Sequence, residues 1–286
     1  MKQAVVNLIR STIPRPIRNA LRRPRNTVNR VIAKSQFMFG RTARLSLRPD
    51  WQLRCHPICV PEFNVFATDS VQRNELDRFV RRCSHEMRLL DVGAHWGIFT
   101  LTALKYGGPR VRSVCIEPSP DAAKIMRCNL KLNGIGDHVK IIEAAAGQTT
   151  GQLQMLTTGA GGADYLVVAP EHRPDSVAIR QIDITSLCAS LKFFPTHLKM
   201  DIEGFEQEGL LGASEMLRQH RPILFLELHG DLIRRRNRDP QAVLRILADA
   251  GYELLHDEEQ PADLGRLASC GFNARLLGLP RAQAHL

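Results

Sequence analysis

The sequence predicts an α/β chain built on a mostly parallel, doubly wound sheet. Three observations carry that. Short apolar runs alternate with helical periodicity from residue 88 onward. The runs end in acids followed by Gly-bearing turns, as where Leu89-Leu90-Asp91-Val92-Gly93 leads through Ala94, His95, Trp96 and Gly97 into Ile98, Phe99 and Thr100. Hydrophobic residues make up 44% of 286, enough for a sizeable core.

The first core strand is predicted over Arg88 to Val92 and the first helix over Trp96 to Tyr106, ended by Gly107-Gly108-Pro109. The intervening turn needs glycine for positive φ and for close approach of backbone to a ligand. The helix start offers free amides. The glycines have three residues between them, with an acid two positions ahead. That is not the G-x-G-x-x-G of a dinucleotide site, so NAD is disfavoured. An Asp-x-Gly-x-x-x-Gly turn suits S-adenosylmethionine (SAM), which has an amino acid end and a ribose to hold but no pyrophosphate.

A second strand, Arg112 to Glu117, precedes a helix from Asp121 to Leu132 that stops at Asn133-Gly134. Glu117, followed by Pro118-Ser119-Pro120, lies 20 residues past Gly97, at the position that bonds ribose hydroxyls in such folds. Val139 to Glu143 reads as the third strand. Ala144, Ala145, Ala146 and Gly147 leave room for a flat ring such as adenine, and tight packing explains them equally well. From Gln148 to Gln181 the alternation lapses into strand-like pieces at Leu153 to Leu156 and Val177 to Gln181. They flank a glycine run, 159–162, that reads as a substrate loop or a surface turn.

The fourth strand ends in His197-Leu198-Lys199-Met200-Asp201-Ile202-Glu203-Gly204-Phe205-Glu206, and a helix with Leu210, Leu211, Ala213, Met216 and Leu217 on its apolar side follows. The fifth, Pro222 to Leu228, carries Glu227 and then His229. Pro240 to Ala250 is a helix with proline in its first turn. Tyr252 to Leu255 and Phe272 to Leu277 supply late strands. Ligands of open parallel sheets lie beyond the carboxyl ends of the strands, where Asp91, Glu117, Asp201, Glu227 and His229 all fall.

Before the core, Ser70 to Cys83 is predicted helical with Leu76, Phe79 and Val80 buried. Trp51 to Arg54 and Phe63 to Ala67 read as short strands in a segment that covers the site entrance or extends the sheet. The expected organisation is a basic arm over 1–50, partly helical or disordered, an extension over 51–87 packing on the core, and a catalytic domain over 88–286.

Net charge is +10, but residues 1–50 hold 12 Lys and Arg against Asp50 alone, so the basicity belongs to the arm. Lys2 to Ser11 is predicted to form a short helix there. Residues 1–40 suit peripheral contact with an anionic membrane surface, where each basic side chain contributes about 1 kcal/mol. Nucleic acid is disfavoured, since aromatics are absent from the arm until Phe37 and Phe39. No apolar segment reaches 18 residues. Seven scattered cysteines without paired ligand spacing indicate reduced thiols and a cytoplasmic protein, and Cys55-His56-x-x-Cys59 reads as packing rather than zinc.

Asp91-Val-Gly-Ala-His-Trp-Gly, Ile116-Glu-Pro-Ser-Pro, Leu198-Lys-Met-Asp-Ile-Glu-Gly-Phe-Glu and Arg221-Pro-Ile-Leu-Phe-Leu-Glu-Leu-His closely resemble the ordered motifs of the FkbM family of SAM-dependent methyltransferases. The resemblance covers about Leu89 to Leu255, and its Lys-x-Asp-x-Glu-Gly-x-Glu stretch is the most specific part. His95 departs from the family's usual asparagine. The resemblance implies a Rossmann-like class I methyltransferase fold and O-methylation of a hydroxyl on a sugar, glycan or other small molecule. It implies that Asp91, Gly93, Ala94 and Gly97 hold the methionine end of SAM and Glu117 its ribose, with His95, Pro118 and Ala144 nearby. Asp201, Glu227 and His229 are the catalytic candidates, His229 or Asp201 as base and Glu227 orienting the hydroxyl or the histidine. No metal is assigned, although Asp201, Glu203 and Glu227 form the acid cluster that Mg²⁺ would use. The competing class is a non-catalytic SAM- or nucleotide-binding regulatory module tethered by the arm.

Overall fold

The structure, a computed structural model, describes Ala33, Ser35, 37–156, 166–168, 176–256, 260–269 and 273–281. The predicted arm helix at Lys2 to Ser11, most of the basic arm and the glycine run at 159–162 lie outside the described residues. The chain divides into two compact units, Met1–Asn64 and Val65–Leu286, so the division falls inside the expected 51–87 extension.

In the first unit, strands β1 (Ala43–Arg48) and β2 (Trp51–Cys55) form an antiparallel hairpin with an irregularity between Ser46 and Arg48. Trp51, Leu53 and Cys55 alternate inward. This hairpin is its own two-stranded sheet and does not extend the main one. His56 caps the next turn by accepting the Ile58 N–H on Nδ1 at 3.1 Å, and its ring lies 4.3 Å from that of Phe37. Cys55 and Cys59, the other two members of Cys55-His56-x-x-Cys59, are both buried. Helix α1 (Val60–Thr68) replaces the strand expected at Phe63 to Ala67. The turn at Pro57–Cys59 hands the chain on in helical geometry, and Pro61 has no N–H for a ladder to use.

In the second unit, α2 (Ser70–Val80) is capped by Asp69, whose carboxylate accepts from the Val71 and Gln72 amides at 3.0 Å. It ends three residues before the expected Cys83 and buries Glu75, Leu76, Arg78 and Phe79, two charged residues among them, while Val80 stays half-exposed. Then follow β3 (Arg88–Val92), α3 (Ile98–Gly107), β4 (Arg112–Ile116), α4 (Pro120–Leu132) and β5 (Val139–Ile142). A small four-stranded sheet comes next, from β6 (Ala145–Ala146), β7 (Gly151–Leu156), β8 (Leu166–Val168) and β9 (Ser176–Ile182), in the order β6-β9-β7-β8. Helix α5 (Ile184–Leu191), capped by Asp183, has no counterpart in the sequence reading.

The return half is β10 (His197–Met200), α6 (Glu206–Gly212), α7 (Ser214–His220), β11 (Ile223–Leu228), α8 (Gly230–Arg235), α9 (Pro240–Asp249), β12 (Tyr252–His256), β13 (Gln260–Pro261), α10 (Leu264–Ser269) and β14 (Ala274–Pro280). The single helix expected after residue 206 is two, meeting at Ala213.

The main sheet has the order β13-β12-β14-β11-β10-β3-β4-β5. From β11 to β5 every pairing is parallel, and β14 is inserted antiparallel between β11 and β12. Strands β3 and β10 are buried on both faces, which is why they read as continuous apolar runs. The chain builds outward from β3 through β4 to β5, then restarts at β10 on the other side. The switch point, where open α/β sheets bind ligands, therefore lies between the carboxyl ends of β3 and β10.

Candidate active site

At that switch point the turn after β3 and the loop after β10 touch. The Gly93 and Ala94 amides donate to the Ile116 carbonyl at 2.9 and 3.2 Å, and the Asp201 amide donates to the Val92 carbonyl at 3.0 Å. Gly93 has φ +78°, and a Cβ there would lie 1.8 Å from the Asp201 carbonyl oxygen. The sequence argument gave Gly93 two reasons. Positive φ holds, but the close approach is to the backbone of the neighbouring strand end. Gly97, at φ +86°, opens α3, and a side chain there would meet Met126 at 2.9 Å.

Glu117 sits against this turn. One carboxylate oxygen accepts the His95 N–H at 2.7 Å and the other the Ser119 N–H at 2.8 Å. Burial pushes its carboxyl up to about 7 against those two amides, with Asp91 and Asp201 adding repulsion. His95 adopts φ +49° to make its contact, and its ring stacks on Trp96 at 4.2 Å. Asp91 is buried beneath α3, where the Thr100 hydroxyl donates to it at 2.6 Å, and burial raises it to about 6. Ala144 is buried as part of the main hydrophobic core. Pro118 precedes Ser119, whose hydroxyl caps α4 through the Ala122 amide at 3.1 Å.

The second half of the site comes from the ends of β10 and β11. The His229 imidazole is buried, with Nδ1 2.7 Å from Oε1 of the fully buried Glu206, which also accepts the Gly204 amide at 3.0 Å. Its Nε2 faces Asp201 Oδ1 at 3.7 Å, Glu203 Oε2 at 3.6 Å and Glu227 Oε1 at 3.7 Å. Burial alone would lower its pKa, but the bond and charge of Glu206, together with Asp201 and Glu203, lift it to about 9. That shift favours the imidazolium, in which His229 donates, over the neutral form that the alternative of His229 as base requires. Glu203, held at φ +52°, is pushed up to about 7 by partial burial, lowered by His229 and raised by Asp201, Glu227 and Glu206. Glu227 accepts from Asn273 and Arg275 at 3.0 Å each, and burial with Asp201 nearby raises its pKa.

Donor atoms of Asp201, Glu227 and His229 lie within 4.8 Å of one another, close enough to share a cation. Lys199, Arg275 and the His229 imidazolium already bring three positive charges to these carboxylates. Asp201 is the most open of the trio, its side chain 32% exposed against 8% for Glu227 and 3% for His229.

Sequence reasoning missed Glu206 as the partner of His229, and Glu75, Asn273 and Arg275 as partners of the rim. Glu206 had a signal, an acid five residues past Asp201 in the same motif. The others are far away in sequence and carried none.

A five-stranded parallel sheet with a switch point between β3 and β10, an antiparallel insertion at β14 and acids at the strand ends is the Rossmann-like class I methyltransferase fold. Residues 91–254 match the Methyltransferase FkbM domain, more than half of the chain, and the chain belongs to that family. It is 32% identical over 94 residues to a catechol O-methyltransferase of Mycobacterium tuberculosis, covering 33% of this chain and 40% of that one. Among solved structures, an FkbM methyltransferase of Methylobacillus flagellatus is 19% identical, with a TM-score of 0.47 over 78% of this chain and 51% of that chain. An O-methyltransferase of Bacillus cereus in complex with SAH is 15% identical, with a TM-score of 0.44 over 75% and 82%. The chain thus spans less than two thirds of the first relative in each comparison. Among the described residues no helix is long and apolar enough to cross a membrane.

Proposed function

We propose that this chain transfers a methyl group from S-adenosylmethionine to a hydroxyl of a polar small molecule or glycan. One observation carries the reading: the turn suited to the donor and the open carboxylate suited to the acceptor meet in a single junction, Gly93 against the Asp201 carbonyl. The residues fit the donor. Glu117 spends one lone pair of each oxygen on the His95 and Ser119 amides and keeps the others, enough for two ribose hydroxyls. Asp91, Gly93, Ala94 and Gly97 form the turn for the methionine end, with His95, Pro118 and Ala144 around it. Oxygen as the accepting atom is supported by the name of the M. tuberculosis relative.

SAM supplies an electrophilic methyl on a sulfonium. The chain's contribution is to align the acceptor, which supplies roughly 7 to 11 kcal/mol of the barrier reduction, and to take the hydroxyl proton, for roughly 3 to 5 kcal/mol more. Asp201, the most exposed of the trio, receives that proton. Glu227 orients the hydroxyl, and the His229 imidazolium, anchored by Glu206, keeps both carboxylates in place. A polar acceptor is supported by a cleft of about 1160 Å³ between α2 and the β12 to α10 segment, whose lining residues Asn273 and Arg275 bond Glu227. Its lining includes Gln72, Asn74, Asp77, Gln260, Asn273 and Arg275, with few apolar residues.

The test is a screen of hydroxylated acceptors with methyl-labelled SAM, followed by Asp201→Asn. Turnover should fall about 10²- to 10⁴-fold while calorimetric SAM affinity stays within threefold. Labelled product at an undiminished rate from Asp201→Asn would refute the assignment, and absence of SAM binding by the parent chain would refute the function.

A further inference from the structure

We propose that Glu75 is a positioning residue of this site, setting through Lys199 and Arg275 where the Asp201 and Glu227 carboxylates stand. The proposal rests on the methyl-transfer reading for its kinetic consequence but not for its geometry. Glu75 lies on α2, outside the family-matched residues 91–254, among the helix's other buried residues Leu76, Arg78 and Phe79. It is 3% exposed. Its Oε1 is 3.0 Å from Lys199 Nζ and its Oε2 accepts from Arg275 Nε at 2.7 Å. The Lys199 ammonium, itself buried over the Phe99 ring at 4.7 Å, lies 3.8 Å from Asp201 Oδ2. Arg275 donates through Nη2 to Glu227 Oε1 at 3.0 Å.

The result is a row of five alternating charges, Asp201, Lys199, Glu75, Arg275 and Glu227, whose two ends are the rim carboxylates. Its middle member touches both cations directly, Lys199 at 3.0 Å and Arg275 at 2.7 Å. Burial would raise the Glu75 carboxyl, yet the two cations hold it below its ordinary range, so it carries its charge at neutral pH. Holding a helix on a sheet does not call for this. A buried ion pair is often replaceable by apolar side chains without loss of stability, so its gain is geometric. With Glu75 neutral, the nearest anion left to Lys199 is Asp201 and the nearest left to Arg275 is Glu227. Both cations then close on the reacting carboxylates and take the lone pairs that the acceptor hydroxyl needs.

The experiment compares Glu75→Gln with the double variant Glu75→Gln/Lys199→Met, in which both members of the first pair are neutral. Thermal unfolding should fall in the single variant and return towards the parent value in the double. Crystal structures of both should show one or both rim carboxylates displaced by about 1 Å or more. On the acceptor returned by labelled-SAM screening, kcat should drop about 10²-fold in both variants, with SAM affinity within threefold of the parent. A double variant that regains both stability and parental kcat would overturn the proposal and leave Glu75 a structural residue. So would carboxylates that keep their parental positions in both crystals, a result that decides the matter even if no acceptor is methylated. Failure of the parent chain to bind SAM would instead count against the methyl-transfer reading alone.

Discussion

Gly93→Ala isolates the contact on which the site is built. The new Cβ starts 1.8 Å from the Asp201 carbonyl oxygen, and contacts under 3.0 Å are essentially never adopted, so the two strand ends must part by about 1.2 Å. Two costs follow. Left-handed φ at a residue with a Cβ costs about 1–2 kcal/mol. Forcing apart well-packed backbone costs about 1–3 kcal/mol more. The sum, about 2–5 kcal/mol, corresponds to a Tm lower by roughly 5–15 °C at this size. Gly134→Ala is the matched control. Gly134 has φ +71°, and nothing lies within 4 Å of its Cβ position, so it should show only the first cost, a fall of roughly 2–6 °C. Calorimetric scans of both variants measure the difference. Because Asp201 is what moves, methyl transfer should also fall about 10²-fold in Gly93→Ala, as expected for a misplacement near 1 Å, and stay near parental in Gly134→Ala. Equal Tm losses in the two variants would refute the argument, since the junction would then not be tight.

Lys199→Met alone leaves Glu75 with half its counter-charge in a buried setting, and urea unfolding should show a loss of about 3–5 kcal/mol. Glu117 gives a pH signature. Its folded pKa, about 7, lies above the ordinary 4.5, so its stabilising contribution is full below about 4.5 and is lost as pH rises through 7. Urea unfolding of the parent at pH 5 and pH 8 should fall by up to about 3 kcal/mol more than that of Glu117→Gln, and parallel losses would contradict it. Burial pushes the Cys83 and Cys188 thiols up to about 12, so a thiol reagent at pH 8 should label them only on unfolding, which peptide mapping can follow.

The strand-turn-helix order of the sheet was legible because each piece is local. Asp91 to Gly97, Glu117 and the Asp201 to Glu206 stretch each sit beside their own strand end, and β3, β4 and β10 fell where periodicity put them. The helix at Val60–Thr68 was misread because Phe63, Val65 and Phe66 favour strands in isolation, while the preceding turn sets helical geometry. The break of the later helix at Ala213 was also hidden. Gly212 presses on the Gly147 carbonyl, where its Cβ would lie at 2.0 Å, and no local pattern encodes that contact.

By itself the sequence determined which residues stand at the carboxyl ends of strands, since each of Asp91, Glu117, Asp201 and Glu227 lies at or next to the end of its own apolar run. Only the tertiary structure decided what those residues are to one another. His229 is pushed towards its charged form because the carboxylates of Glu206, Asp201 and Glu203, in the stretch after another strand, surround it. Asp201 and Glu227 acquired a shared anchor because α2 and β14, about 200 residues apart, bring Glu75 and Arg275 together. Charge state and position depend on the sum of distant neighbours in a medium that screens poorly, and the fold supplies those neighbours.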